Sequence, residues 1–178
     1  MGVRSTGWSR SAMNSTTVDR RRDRIMKYLH AIALLVCPAS TVQAQTVVRV
    51  GEALVKPGLA ATFTGTVTVR TTAEVIAPGQ AGAALVTFQS GARTNWHTHP
   101  AGQILYVTEG CGWIQEEGGP VTRICKGDTI HARPRAKHWH GATNRQGMSH
   151  LAVTETINGK PVDRLEPVAA SQYRGPAR

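Results

Sequence analysis

The sequence has 178 residues, of which 40% are hydrophobic and 18% charged; these values exclude a disordered chain and a heptad-rich fibre, and they fit one domain with a hydrophobic core. The formal net charge of +10 is shared between two parts: residues 1–44 hold seven Lys and Arg against two Asp, and residues 45–178 hold fourteen against nine acidic residues. Because no helix-turn-helix pattern or aromatic-rich basic stripe accompanies this charge, we expect no nucleic-acid partner.

The first 44 residues have the pattern of a secretory leader. Basic residues at 20–27 precede an apolar run at 29–37, and small residues follow before Gln45. This order predicts a signal peptide within 1–44, with Met26 as an alternative start. A buried amphipathic helix is the alternative interpretation. The apolar run is too short for a stable membrane anchor, so we expect export to the bacterial periplasm.

The remaining chain is predicted to be all-β. Residues 45–61 are expected to form an extended N-terminal arm, and residues 62–178 a single domain of short strands separated by Gly and Pro. A short helix is expected near 166–173. The alternating pattern predicts strands at 62–70, 83–89, 103–108, 111–116, 121–125, 128–132 and 149–157. Such spacing is typical of a sandwich or small barrel.

Two cysteines remain after the leader. If 111–116 and 121–125 form a hairpin around the Glu-Gly-Gly-Pro turn at 117–120, a symmetric register places Cys111 opposite Cys125. In an oxidising compartment this arrangement predicts a cross-strand disulfide. The alternative is two independent thiols that pack as small hydrophobes.

Histidines are concentrated in one part of the chain. Six of the seven lie between positions 97 and 150. His97 and His99 are two residues apart, as are His138 and His140, so each pair points to one face of an extended strand. A rolled-up β fold would let these pairs converge with Gln103 and His150 on one metal ion.

Two sequence motifs around these histidines resemble the motifs of the cupin family. Gly91, the His97-Thr98-His99 triplet, Gln103 and Gly110 resemble the first cupin motif, in which Glu normally occupies the place of Gln103. The stretch from Gly127 to His138 resembles the second motif, with Ala142 where Asn is usual. Both departures recur in the bacterial manganese-dependent cupin hydroxynitrile lyases, which this sequence is similar to from about residue 62 to 175.

The resemblance implies a fold and a set of site residues. The fold is a single cupin domain, a double-stranded β-helix or jelly-roll barrel of the RmlC-like type. The implied metal ligands are His97, His99, Gln103 and His138, and the implied acid-base residue is His150. The implied substrate-binding positions are Ala84, Val86, Thr154 and His140, although the lyases have Gln where this chain has Thr154. Independently of the resemblance, Arg133, Arg135 and Lys137 are interpreted as a solvated loop, with attraction of anions to the site as the alternative.

The implied cofactor is a divalent metal, with manganese first and iron or zinc as alternatives. Three neutral imidazoles and one amide would leave the full charge of such a cation uncompensated, which favours polarisation of an oxygen ligand over redox cycling. The implied activity is cleavage or formation of cyanohydrins from an aldehyde and HCN, with a small molecule as substrate. One alternative is a different metal-dependent cupin enzyme, such as a dioxygenase, isomerase or decarboxylase. The other is a non-enzymatic module that binds a metal or a small ligand. A homodimer or homotetramer is expected.

Overall fold

The computed structural model of the protein describes residues 45–176. The predicted leader with its signal peptide, and the alternative start at Met26, lie outside the described residues. Within this range the chain forms twelve β-strands: β1 (Val55–Pro57), β2 (Phe63–Thr64), β3 (Val67–Ala73), β4 (Ala81–Phe88), β5 (Arg93–Thr94), β6 (His97–Thr98), β7 (Gln103–Glu116), β8 (Thr122–Cys125), β9 (Thr129–Ala132), β10 (His138–Ala142), β11 (Met148–Glu155) and β12 (Asp163–Arg164). The prediction of an all-β domain is confirmed.

The strands form two antiparallel sheets that face each other as a barrel. The first sheet has the order β1-β3-β4-β11-β7-β9, and the second contains β8-β7-β10-β5-β2, with β6 beside β10 and β12 beside β6. Strand β7 belongs to both sheets, since its first half pairs with β11 and β9 and its second half with β10 and β8. The separate strands predicted at 103–108 and 111–116 are therefore one strand.

Gly110 allows β7 to pass from one sheet to the other. Its φ is +68°, and a Cβ at this position would collide with the carbonyl oxygen of Gly147. Nearby, the pairing of β7 with β11 shifts register between Ser149 and His150. A bulge of this kind bends a strand pair and changes which side chains face inward. It places His150 on the inner face of the barrel.

The main hydrophobic core fills the space between the sheets. It is built from Val67, Val86, Phe88, Ala92, Val107, Ile124, Ala142 and Met148. Val86 and Phe88 are two residues apart on β4, the spacing expected when one face of a strand is buried. This core supports one side of the histidine cluster, because Phe88 packs against the rings of both His140 and His150.

A second apolar cluster covers the outer face of the second sheet. Trp96, Trp113 and Trp139 point outward there and pack against Val168 and Tyr173 of the C-terminal segment. The short helix predicted near 166–173 is wrong: this segment is extended and ends in a single turn at residues 170–172.

Tertiary hydrogen bonds explain why that helix does not form. The backbone of Leu165 and Glu166 bonds to Trp96, and the carbonyl oxygen of Val168 accepts a hydrogen bond from Arg93. A helix over 166–173 would use the carbonyl oxygens of Glu166 and Val168 for its own hydrogen bonds. A helix of so few residues is too weak to compete with such contacts.

The N-terminal arm and the β7-β8 hairpin complete the domain. Residues Val55–Pro57 of the expected arm pair with β3 as strand β1, whereas most residues of the arm are exposed. In the hairpin, Cys111 lies directly opposite Cys125 and the two are joined by a disulfide. Residues 45–176 contain no helix with the length and hydrophobicity needed to span a bilayer.

Candidate metal centre and active site

Six polar side chains converge on the inner face of the barrel. They come from β6 and the turn after it, from the start of β7, and from β10 and β11. Each is at most 8% exposed: His97, His99, Gln103, His138, His140 and His150. The register explains the convergence, since His138 of β10 lies directly opposite His97 of β6. The sequence predicted that these residues would meet, and the structure brings them together.

Three of the histidines share one pattern of hydrogen bonds. The Nδ1 atoms of His97, His99 and His138 lie 2.9, 2.8 and 2.9 Å from the backbone carbonyl oxygens of Asn95, Pro161 and Ala136. A carbonyl oxygen can only accept, so each Nδ1 carries the proton and each Nε2 keeps its lone pair. Metal-ligating histidines are typically oriented in this way.

The imidazole rings are close enough to share one ion. Ring centroids are 4.3 Å apart for His97 and His138, and 5.1 Å apart for His97 and His99. One candidate ligand atom from each of His97, His138 and His140 lies within 4.8 Å of the others. His97 and His138 thus belong both to this compact group and to the predicted ligand set, whereas His99 belongs to the predicted set alone.

Gln103 meets the cluster through its side-chain amide. Its Oε1 lies 3.4 Å from Nε2 of His138, and its Nε2 donates to Oγ1 of Thr154 at 3.3 Å. Because the Nδ1 of His138 holds the ring proton, the two facing atoms are both acceptors. The Nε2 of His99 is also buried and has no hydrogen-bond partner among the described residues. A cation at this point would satisfy all three atoms.

His140 and His150 form a pair behind the other rings. Their Nδ1 and Nε2 atoms, respectively, are 3.2 Å apart, so one ring donates to the other. His140 therefore differs from the three histidines that bond to backbone carbonyls, and it links the cluster to His150. The Nε2 of His140 and the Nδ1 of His150 are buried and unpartnered within the described chain, so each ring has one nitrogen without a hydrogen bond.

Burial keeps the cluster neutral near pH 7. Removal from water lowers the pKa of His99 and of His150 to about 4. Burial, followed by repulsion from neighbouring imidazoles, holds the pKa of His97 and of His140 well below the ordinary value, and burial also lowers the pKa of His138. Neutral imidazoles are the form that binds metal ions or accepts a proton.

The predicted substrate-binding residues lie on the same inner face. Val86 and Ala84 of β4 are opposite His150 and Ala152 of β11, and Thr154 is opposite Gln103 of β7. Ala84 and Thr154 also line a cavity of about 230 Å³ beside Pro161. The position of Thr154 is the notable one, because its hydroxyl contacts Gln103 directly.

A larger cavity on the other side of the cluster was not identified from the sequence. It has a volume of about 710 Å³, reaches His138, and is lined between β7, β8 and β9 by Ile114, Ile124, Ile130 and Ala132 among others. The isoleucines of the strands predicted at 111–116, 121–125 and 128–132 lie in this wall, but nothing in their pattern marks a cavity. The same wall carries charged and polar residues: Glu116, Glu117, Arg123, Asp128 and His131. The cavity gives a small molecule room beside a candidate ligand.

Comparisons with known proteins agree with this fold and site. A family model described as a cupin domain matches residues 84–154. The chain is 49% identical over 126 residues to a protein named (R)-mandelonitrile lyase from Granulicella tundricola, covering 71% of this chain and 96% of that protein.

Solved structures show the same barrel. A cupin-like protein from Thermotoga maritima is similar with a TM-score of 0.64 and 36% identity, over 66% of this chain and 90% of that one. A cupin 2 conserved barrel domain protein from Rhodopseudomonas palustris has the same fold, with a TM-score of 0.53 and 16% identity over 74% of this chain and 89% of that one. With the buried histidine cluster at the place of the cupin motifs, these matches lead to one conclusion: the chain belongs to the cupin family.

Proposed function

We propose that the protein is a metal-dependent carbon–carbon lyase that cleaves or forms cyanohydrins, as a hydroxynitrile lyase does. The observation that carries the proposal is the buried cluster in which His97, His99 and His138 all turn Nε2 lone pairs away from their backbone partners. The relative named (R)-mandelonitrile lyase, matched over 96% of its length, supports this choice among cupin activities.

The donor set fits a divalent cation. The facing acceptors of His138 and Gln103, together with the unpartnered Nε2 of buried His99, call for a positive centre among them. The proposed ligands His97, His99, Gln103 and His138 supply three imidazole nitrogens and one amide oxygen, which suit manganese, iron or zinc. We take manganese as the first choice. Such a cation would supply Lewis acidity at the substrate hydroxyl.

The protein's own residues supply proton transfer and exclusion of water. His150 is fully buried, and its pKa of about 4 keeps it neutral at pH 7, so it can take the hydroxyl proton as the carbon–carbon bond breaks and cyanide leaves. His140 bonds to His150 and orients its ring. Ile114, Ile124 and Ile130 line the larger cavity and provide an apolar environment for the organic part of the substrate. His150 then passes the proton to the departing cyanide as HCN; in the reverse direction it takes the proton of HCN and gives it to the aldehyde oxygen as cyanide adds to the carbonyl carbon.

Incubation of the metal-loaded protein with mandelonitrile, with and without oxygen, tests the activity. We expect benzaldehyde release at equal rates in both conditions. The His150→Ala variant should lose about 10²- to 10⁴-fold of the turnover while its metal content, measured by elemental analysis, is unchanged. The control is Thr68→Ala, since Thr68 is exposed on β3, away from both cavities beside the cluster.

Three outcomes would contradict the proposal. Oxygen uptake with a phenolic substrate and no benzaldehyde would instead indicate a dioxygenase. Absence of both activities in the loaded protein would favour a non-enzymatic binding module. Loss of metal from the His150→Ala variant would make His150 a ligand rather than the base.

We further propose that the protein is exported to the periplasm and acts as a homodimer or homotetramer. The basic and apolar pattern of residues 20–44 supports export. Ile104 and Tyr106, which are 43% and 46% exposed on the outer face of β7, support association of copies. Cell fractionation with N-terminal sequencing tests the first point. Light scattering of the purified protein tests the second, and a monomer at micromolar concentration would contradict it.

A further inference from the structure

The orientation of the Gln103 amide is decided by two contacts. A glutamine amide carries an acceptor oxygen and a donor nitrogen, and rotation by 180° exchanges them. In the structure Oε1 faces Nε2 of His138 at 3.4 Å, and the amide nitrogen lies 3.3 Å from Oγ1 of Thr154. The two residues are held opposite each other by the register of β7 and β11.

We propose that Thr154 is the positioning residue for the Gln103 ligand: its hydroxyl accepts from the amide nitrogen and thereby keeps the amide oxygen turned toward the imidazoles. This inference rests on the proposed metal centre. It gives Thr154 a role different from the contact with substrate that the lyase resemblance implies.

The alternative amide orientation shows why this contact matters. The ring proton of His138 is on Nδ1, where it bonds to the carbonyl oxygen of Ala136, so Nε2 is an acceptor. In the reversed orientation the amide nitrogen of Gln103 would donate to this Nε2. The lone pair of His138 would then be used by the hydrogen bond, and the Gln103 oxygen would point away from the imidazoles. The metal-binding orientation loses that hydrogen bond and needs another acceptor for the amide nitrogen.

Thr154, which is half-buried, provides this acceptor for the buried amide. Gln103 is only 8% exposed, so water does not easily replace the lost partner. Without the hydroxyl, the amide nitrogen would be unsatisfied in the metal-binding orientation but satisfied by His138 in the reversed one. Removal of one oxygen atom at position 154 would therefore favour the orientation that cannot bind a cation.

Affinity for Mn²⁺, measured by competition with a chelating indicator at pH 7.5, tests the inference. Thr154→Val keeps a β-branched side chain for the strand and removes the acceptor. We expect it to weaken Mn²⁺ binding about 10-fold, the lower end of the effect of removing a group that orients a metal ligand. Thr154→Ser, which keeps a hydroxyl, should stay within about 3-fold of the wild-type affinity. Thermal melts of the metal-free variants check that each is folded.

The same measurement in the Gln103→Ala background isolates the contact. There Thr154→Val should change Mn²⁺ affinity less than about 2-fold, because no amide is left to orient. A 10-fold loss in that background, or wild-type affinity of Thr154→Val in the native background, would overturn the inference.

Benzaldehyde release from mandelonitrile is measured in parallel and separates the inference from the proposed activity. If Mn²⁺ affinity follows the expected pattern but no benzaldehyde appears, the lyase proposal fails and the role of Thr154 stands. If the wild type releases benzaldehyde but Thr154→Val binds Mn²⁺ as tightly as the wild type, the proposed role of Thr154 fails and the lyase proposal stands.

Discussion

Acidification should destabilise the metal-free barrel, because its histidines are buried in neutral form. The pKa values of His99 and His150 are lowered to about 4, against an ordinary value of 6.5 in the unfolded chain. As the pH falls through 6.5 the unfolded chain therefore binds protons first. The free energy of unfolding declines from about pH 6.5 and stops declining near pH 4, where the folded histidines also become protonated.

The size of the effect follows from these two residues. Each contributes about 1.4 kcal/mol of lost stability per pH unit within this range. Between pH 7 and pH 5 the pair therefore removes about 4 kcal/mol. Burial lowers the pKa of His97, His138 and His140 as well, and these residues act in the same direction. Compared with a total stability of about 5–15 kcal/mol for a typical domain, the loss is large.

Urea denaturation of chelator-treated protein at pH 7, 6 and 5, without reductant, measures this slope. His150→Gln should make the slope shallower by about 1.4 kcal/mol per pH unit, whereas Thr68→Ala, which changes no titratable group at an exposed position of β3, should leave it unchanged. An equal free energy of unfolding at pH 7 and pH 5, or equal slopes for the two variants, would refute the reasoning.

Three further predictions concern the metal centre, the disulfide and the C-terminal segment. His138→Ala should lower metal content at least about 10-fold by elemental analysis, since it removes a proposed ligand and the partner of Gln103; full retention would exclude His138 as a ligand. Replacement of both Cys111 and Cys125 by Ser should lower the free energy of unfolding by about 3 kcal/mol for a sequence separation of 14 residues, and a loss below about 1 kcal/mol in urea melts would contradict a stabilising cross-link. Tyr173→Phe removes the hydrogen bond from the phenol to the carbonyl oxygen of Ala142 and should cost about 1 kcal/mol; unchanged thermal stability would show that this contact does not hold the segment.

The parts of the site that follow strand periodicity could be predicted from the sequence. Residues two apart on a strand share a face, so His138 and His140 were expected to point inward together, and a symmetric hairpin placed Cys111 opposite Cys125. The structure has both arrangements. The identity of Gln103 as a candidate ligand came from its place in a cupin motif, because an isolated glutamine carries no such signal.

The parts that depend on tertiary contacts could not be predicted. The carbonyl groups that set the tautomers of His97, His99 and His138 belong to loops and turns, and nothing in their residue types marks them as partners. The helix expected near 166–173 failed for the same reason, since local propensity was outweighed by hydrogen bonds to Trp96 and Arg93. The contact of Thr154 with Gln103 depends on the pairing of strands 51 residues apart.

The outward tryptophans have a spectroscopic consequence. Trp139 lies between His138 and His140 on β10, with its indole on the opposite face of the same strand, and Trp96 directly precedes His97, the first residue of β6. Emission from the three indoles of this cluster therefore originates on the other side of the sheet from the imidazoles, in a buried layer covered by Val168 and Tyr173 of the C-terminal segment. A quenching ion such as Cu²⁺ bound at the imidazoles would lower the intensity of this fluorescence without contacting an indole. Detachment of the C-terminal segment would instead shift the emission to longer wavelength. One fluorescence spectrum therefore distinguishes the two events.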